Sequence, residues 1–182
     1  MHFSTTAIVL FVAQLAAAAP TPTTSTATAC ANFTLQLTNS DLILAGSPLN
    51  GTYAKLDPPS GSDTSNSAIE YEIGFNGASL FAATTFSLSA DGNLYTQYAG
   101  LIASTDPGTQ FGLFHFDRFP SAYTQQVPAV CAVADNGTLG CETLAGVNIF
   151  QLCPGAAAPN DLFLGSEVQS GCEAVTLEAV CV

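Results

Sequence analysis

The chain has no tryptophan, a single methionine and only two lysine or arginine residues, Lys55 and Arg118, in 182 positions. Each shortage excludes something. Affinity for phosphate backbones or anionic lipid needs clustered cations. Here the two cations stand far apart in sequence against fourteen carboxylates, for a formal net charge of −12. Nucleic acid and membranes are therefore not expected partners. Without tryptophan, any stacking on a sugar falls to smaller rings: Tyr53, Tyr71, Tyr95, Tyr98 and Tyr123 are the candidates. No Cys-x-x-Cys spacing occurs and, beyond His2, the one histidine is His115, so no metal or cofactor is expected. No Gly-x-Ser-x-Gly elbow is present for a nucleophilic serine. No long stretch keeps a helical period.

What is present points outside the cell. Residues 7–19 are apolar apart from Gln14 and end in a run of small residues before Pro20, too short for a membrane span. Residues 1–19 are expected to be a secretory signal peptide, cleaved near Ala18 or Ala19. Residues 20–29 form a Thr/Pro-rich flexible lead, too polar to bury a core. Residues 30–182 are long enough for one domain. The chain ends without a hydrophobic tail, so no lipid anchor is expected. Six cysteines, an even number, in an exported chain imply three disulfides. Sequons at Asn32, Asn50 and Asn136 predict glycans on exposed loops. The acidity fits an extracellular protein that stays soluble and monomeric.

From Cys30 onward, short runs rich in Thr, Val, Phe, Tyr and Leu alternate with turn residues every eight to twelve positions. That is an all-β pattern. Residues 33–37 and 42–44, around the turn at 38–41, read as a hairpin. Strands are expected at 52–56 and 69–75, and at 86–88 with a return at 94–98. Residues 112–117 alternate Leu113, His115 and Asp117 against Phe114 and Phe116. Residues 86–94 align without gaps on residues 131–139, forty-five positions later, with a weaker likeness at 33–42. Such a repeat suits a single small barrel, β-trefoil-like, stapled by disulfides; the alternative is an antiparallel β-sandwich.

The strongest local inference concerns Asp135-Asn136-Gly137. As a three-residue hairpin loop with Gly137 at positive φ, it sets Val133 against Leu139 and Cys131 against Cys141. Opposed cysteines on one face can bond, so Cys131–Cys141 is expected. A two-residue Asn-Gly loop would move them out of opposition. The other four, Cys30, Cys153, Cys172 and Cys181, allow three pairings. The favoured one ties the first strand to the last through Cys30–Cys181 and closes a loop through Cys153–Cys172.

No residue stands out as catalytic. His115 and Asp117 on one strand face could serve a proton transfer, but a polar strand face opposite Phe114 and Phe116 explains them as well. Glu70 and Glu72 share a strand face and could form the carboxylate pair of a glycoside hydrolase; outward solvated residues are the plainer reading.

Residues 30–44, which open with Cys30 and run on as Phe-Thr-Leu-Gln-Leu, resemble the start of the C-terminal cysteine-bearing module of fungal Pir-type cell-wall mannoproteins. Residues 136–153 resemble that module's Asp-Gly-x-Leu to Phe-x-x-Cys stretch, and residues 162–164 and 171–180 its ending. The likeness implies a secreted fungal module, wall-associated or effector-like, with no catalytic residue to transfer. The glucan-linking repeats and the dibasic processing site of that family are missing, so covalent glucan linkage is not implied. Cys131 and Cys141 look like an added pair. The expected function is thus a non-catalytic, wall-associated surface glycoprotein, secreted or held at the cell wall. The alternative is a lectin-like or effector module that binds glycan or a host protein.

Overall fold

The computed structural model describes residues 30–44, 46–57, 71–78, 80–97, 101–105, 110–118, 127–143, 146–154 and 161–182. The expected signal peptide and lead lie outside the described residues. The strands are β1 (Phe33–Thr38), β2 (Ile43–Leu44), β3 (Ser47–Pro48), β4 (Tyr53–Asp57), β5 (Tyr71–Ala78), β6 (Phe86–Leu88), β7 (Leu94–Thr96), β8 (Leu101–Thr105), β9 (Phe111–Leu113), β10 (His115–Arg118), β11 (Val127–Pro128), β12 (Val130–Val133), β13 (Thr138–Glu142), β14 (Ile149–Leu152), β15 (Leu162–Gly165), β16 (Glu173–Ala174) and β17 (Thr176–Cys181). A single 3-10 turn, Leu80–Ala82, is the one helical element among the described residues.

The protein is all-β, and its strands pair antiparallel. The large sheet has eleven strands in the order β12-β13-β17-β1-β4-β5-β10-β8-β7-β6, with β11 on β8. One further rung, Phe33 opposite Phe86, brings β6 back to β1. The small sheet has the order β16-β14-β15-β9. A short ribbon joins β2 and β3.

The core follows from the period-two pattern. On β1 the side chains of Phe33, Leu35 and Leu37 are buried, and on β5 those of Ile73 and Phe75. Leu162 and Leu164 of β15 and Phe150 and Leu152 of β14 face them from the small sheet, within one continuous hydrophobic cluster. A chain of rings links the two sheets. Phe33 stacks near Phe86 at 6.4 Å, Phe86 meets Phe116 at 5.6 Å, Phe116 meets Phe114 at 5.9 Å, and Phe114 meets Phe150 at 5.3 Å. The last two contacts are edge-to-face, the arrangement the ring quadrupole favours.

The chain passes between sheets at two buried residues. At Phe114 it leaves β9 of the small sheet and enters β10 of the large one, its N–H donating to the Leu162 carbonyl at 2.8 Å. At Val175 it passes from β16 to β17, its N–H donating to the Phe150 carbonyl at 2.9 Å. The first crossing corrects the expected continuous strand at 112–117. Because the run is split between two sheets, its alternation does not mark one wet and one dry face. His115 is buried beside Phe114 and Phe116.

A second correction concerns the first hairpin. Residues 42–44 do not return along residues 33–37. Instead β2 pairs with β3, while β1 lies between β17 and β4. The chain turns away at Asn39, which has a positive φ of 55°, a conformation asparagine tolerates.

The two aligned segments do share a turn. In β6–β7 the Ser89 N–H donates to the Asn93 carbonyl and the Gly92 N–H to the Ser89 carbonyl, with Leu88 opposite Leu94. In β12–β13 the Ala134 N–H donates to the Thr138 carbonyl and the Gly137 N–H to the Ala134 carbonyl, with Val133 opposite Leu139. Gly92 and Gly137 have φ of 80° and 85°. Both are three-residue loops that need a residue at positive φ in the third place, which is why glycine recurs there.

Candidate functional site

The register of β12–β13 sets Cys131 opposite Cys141, and the two are bonded with Cα atoms 4.0 Å apart. Cys30 is bonded to Cys181 and Cys153 to Cys172. The Cys30–Cys181 bond lies at the end of the β1–β17 ladder, where six rungs already join the first strand to the last. Asn32, Asn50 and Asn136 are all exposed and lie in bends or turns rather than in strands. The Asn136 Oδ1 accepts the Thr138 N–H at 3.1 Å, an Asx-type contact at the tip of its hairpin.

His115 stands opposite Ser104 on β8 and opposite Glu72 on β5. Its Nδ1 lies 3.0 Å from the Leu113 carbonyl. His115 is 1% exposed and Ser104 is 0% exposed. A hydroxyl and an imidazole opposed across antiparallel strands are the right types for nucleophile and base, but both are shut away from any substrate here. Asp117 follows in β10 opposite Ile102, its side chain outside the described residues. Glu70 also lies outside them, as do Tyr98 and Tyr123. Tyr71 and Glu72 are placed by backbone alone in β5. Tyr53 and Tyr95 are half-buried on β4 and β7, in neither of the two depressions described next. Among the described residues, no group of three His, Cys, Asp or Glu converges as a metal site, and no helix is long and apolar enough to cross a membrane.

Among the described residues, two surface depressions stand out. One, of about 730 Å³, is open and runs along the β12–β13 hairpin past Val130, Ala132, Gly140 and Glu142. Its described lining mixes small and apolar groups with the polar residues Glu142, Thr143 and Asn148. The other, of about 360 Å³, lies on the outer face of the small sheet, between the rings of Phe111 and Phe163 and the turn at 169–172.

The geometry of this second hollow follows from β15. Leu162 and Leu164 point inward and are fully buried, so Phe163 points outward and is half-buried. The register places Phe163 opposite Leu113 and Gly165 opposite Phe111, so Phe111 and Phe163 are diagonal neighbours on one face. Their rings stack at 5.0 Å with planes 11° apart. The far wall is a loop held down by Gln151. That side chain is 0% exposed; its Nε2 donates to the Glu167 carbonyl at 3.0 Å and its Oε1 accepts the Gln169 N–H at 2.9 Å. The Cys153–Cys172 bond ties the same loop to the end of β14. The wall is thus fixed twice, by a disulfide and by a buried amide.

The rings of this hollow are phenylalanines, not the tyrosines expected from composition. Phe163 was visible as the outward residue between two inward leucines. Phe111 carried no such signal, because only the pairing of β9 with β15 brings it alongside. Comparison of the chain with protein-family models, with curated proteins and with solved structures returns no match.

Proposed function

We propose that the protein is a secreted, non-catalytic glycoprotein of a fungal cell surface, held at or outside the wall, as its resemblance to the C-terminal module of Pir-type mannoproteins implies. The observation that carries this reading is the stapling of the fold: all six cysteines are bonded, and one bond closes the chain from its first strand to its last. Such bonds persist in oxidising compartments and are rare in the cytosol. The exposed positions of Asn32, Asn50 and Asn136 support the glycoprotein part of the reading, since glycans there would project without breaking a strand. The burial of Ser104 and His115 favours the non-catalytic part. For the architecture we propose a trefoil-like barrel. The Phe33–Phe86 rung and the shared turns of the two hairpins support it.

Fractionation tests the function. Tagged protein expressed in a fungal host is expected in the medium or in the detergent- or alkali-extractable wall, with its mass reduced by N-glycan removal. Retention in the cytosol, unglycosylated and with free thiols, would refute the reading. A second reading, a carbohydrate-binding module, is favoured by one feature, the aromatic hollow on the small sheet.

A further inference from the structure

We propose that the hollow between Phe111, Phe163 and the turn at 169–172 binds a neutral hexose unit of a polysaccharide. This rests on the carbohydrate-binding reading and not on wall association.

The ligand class follows from what lines the hollow. A pyranose ring has one face of C–H groups and a rim of hydroxyls. It therefore calls for an aromatic surface beside uncharged hydrogen-bonding groups. Phe111 and Phe163 supply the aromatic surface as a stacked, half-buried pair on the outer sheet face. The Gln169 amide and the Ser170 hydroxyl supply the rim. Among the described residues, neither of those two side-chain groups is engaged in a hydrogen bond, so both are available to a ligand.

Charge narrows the choice further. Among the described residues, none that lines the hollow is charged, although the chain carries a net charge of −12. An anionic ligand would be repelled by that field, and a cationic one would be drawn to the carboxylates elsewhere. A neutral ligand suits this surface. The volume of about 360 Å³ falls within the ordinary range of ligand sites. The wall opposite the rings is ordered before binding by the Gln151 contacts and the Cys153–Cys172 bond, so little ordering remains for the ligand to induce.

The test uses the full secreted protein with its disulfides intact, titrated onto insoluble β-glucan, mannan and chitin. Wild-type protein is expected to be retained by at least one of these. Phe163→Ala should bind about tenfold more weakly, the loss of roughly one aromatic contact. Phe163→Tyr should restore binding. Gln169→Ala combined with Ser170→Ala, which leaves the sheet untouched, should weaken it by about fivefold or more, as expected for two lost neutral hydrogen bonds. If Phe163→Ala and the double variant bind as wild type, the hollow is not the site, while carbohydrate binding itself stands. If wild-type protein is retained by none of the three polymers, the carbohydrate reading and the site fall together. If sedimentation shows a dimer that Phe163→Ala dissociates, the face is a self-association surface and the proposal fails.

Discussion

Gln151 is a buried amide that holds a surface loop, and its removal should be felt well beyond its own strand. Its side chain is 0% exposed, and it bridges the Glu167 carbonyl at 3.0 Å and the Gln169 N–H at 2.9 Å. Truncation to alanine deletes both hydrogen bonds and leaves a void. A buried group stranded in this way costs about 1–3 kcal/mol. Glu167 is exposed and its carbonyl can turn to water, whereas Gln169 is half-buried. The bonds together should therefore be worth about 2 kcal/mol, and the void should bring Gln151→Ala to about 3 kcal/mol. Gln151→Met separates the two effects, because it fills most of the space without donor or acceptor. It should lose about 2 kcal/mol. Urea unfolding with the disulfides intact measures these values. Hydrogen exchange at the Gln169 amide reports the loop itself, and that amide should exchange much faster in both variants. If Gln151→Met loses less than about 0.5 kcal/mol and the Gln169 amide stays protected, the bridge is not what holds the loop.

Gly92 and Gly137 occupy equivalent turns, yet their surroundings differ. A Cβ at Gly92 would lie 2.8 Å from the Val130 Cγ1 and 3.0 Å from the Cys131 carbonyl oxygen, whereas at Gly137 the nearest atom is the Ala179 carbonyl oxygen at 3.9 Å. Gly137→Ala should lose about 1 kcal/mol for its backbone conformation, and Gly92→Ala about 2–4 kcal/mol because crowding adds to it. Equal losses by chemical denaturation would contradict the close approach of that turn to β12. Removing disulfides as Cys-to-Ser pairs should follow loop length. Cys30–Cys181, with a sequence separation of 151, should be worth about 5 kcal/mol, and Cys131–Cys141, with a separation of 10, about 3 kcal/mol. Melting of the two double variants should rank accordingly, and the opposite order would count against the chain-entropy account.

The local content of the fold was legible from residue types. The strand at 33–37 showed as an unbroken period-two pattern, and β1 buries Phe33, Leu35 and Leu37 in that phase. Taken as a three-residue loop, the turn at Asp135, Asn136 and Gly137 sets its own register, because that loop length leaves one way to oppose the flanking strands. From that register the Cys131–Cys141 bond followed by counting. The candidate site was not legible. The expectation of tyrosine faces came from composition, and composition does not say which rings meet. His115 departs from expectation for a related reason: the alternation at 112–117 suggests one strand, while the chain changes sheets at Phe114.

By itself, then, the sequence determined the all-β class, the inward phase of the strand at 33–37, and the geometry of the tight turn before Cys141. These depend on interactions a few residues apart: side-chain alternation, glycine at positive φ, and the reach of a hairpin. The tertiary structure alone decided which strand lies beside which. It set β1 against β17 rather than beside β2, split residues 111–118 between two sheets, and stacked Phe111 on Phe163. Backbone donors and acceptors on a strand edge are the same for every sequence, so neighbour choice is settled by the packing of the whole core. The aromatic hollow, made of residues from two strands and a loop, comes into being only at that level.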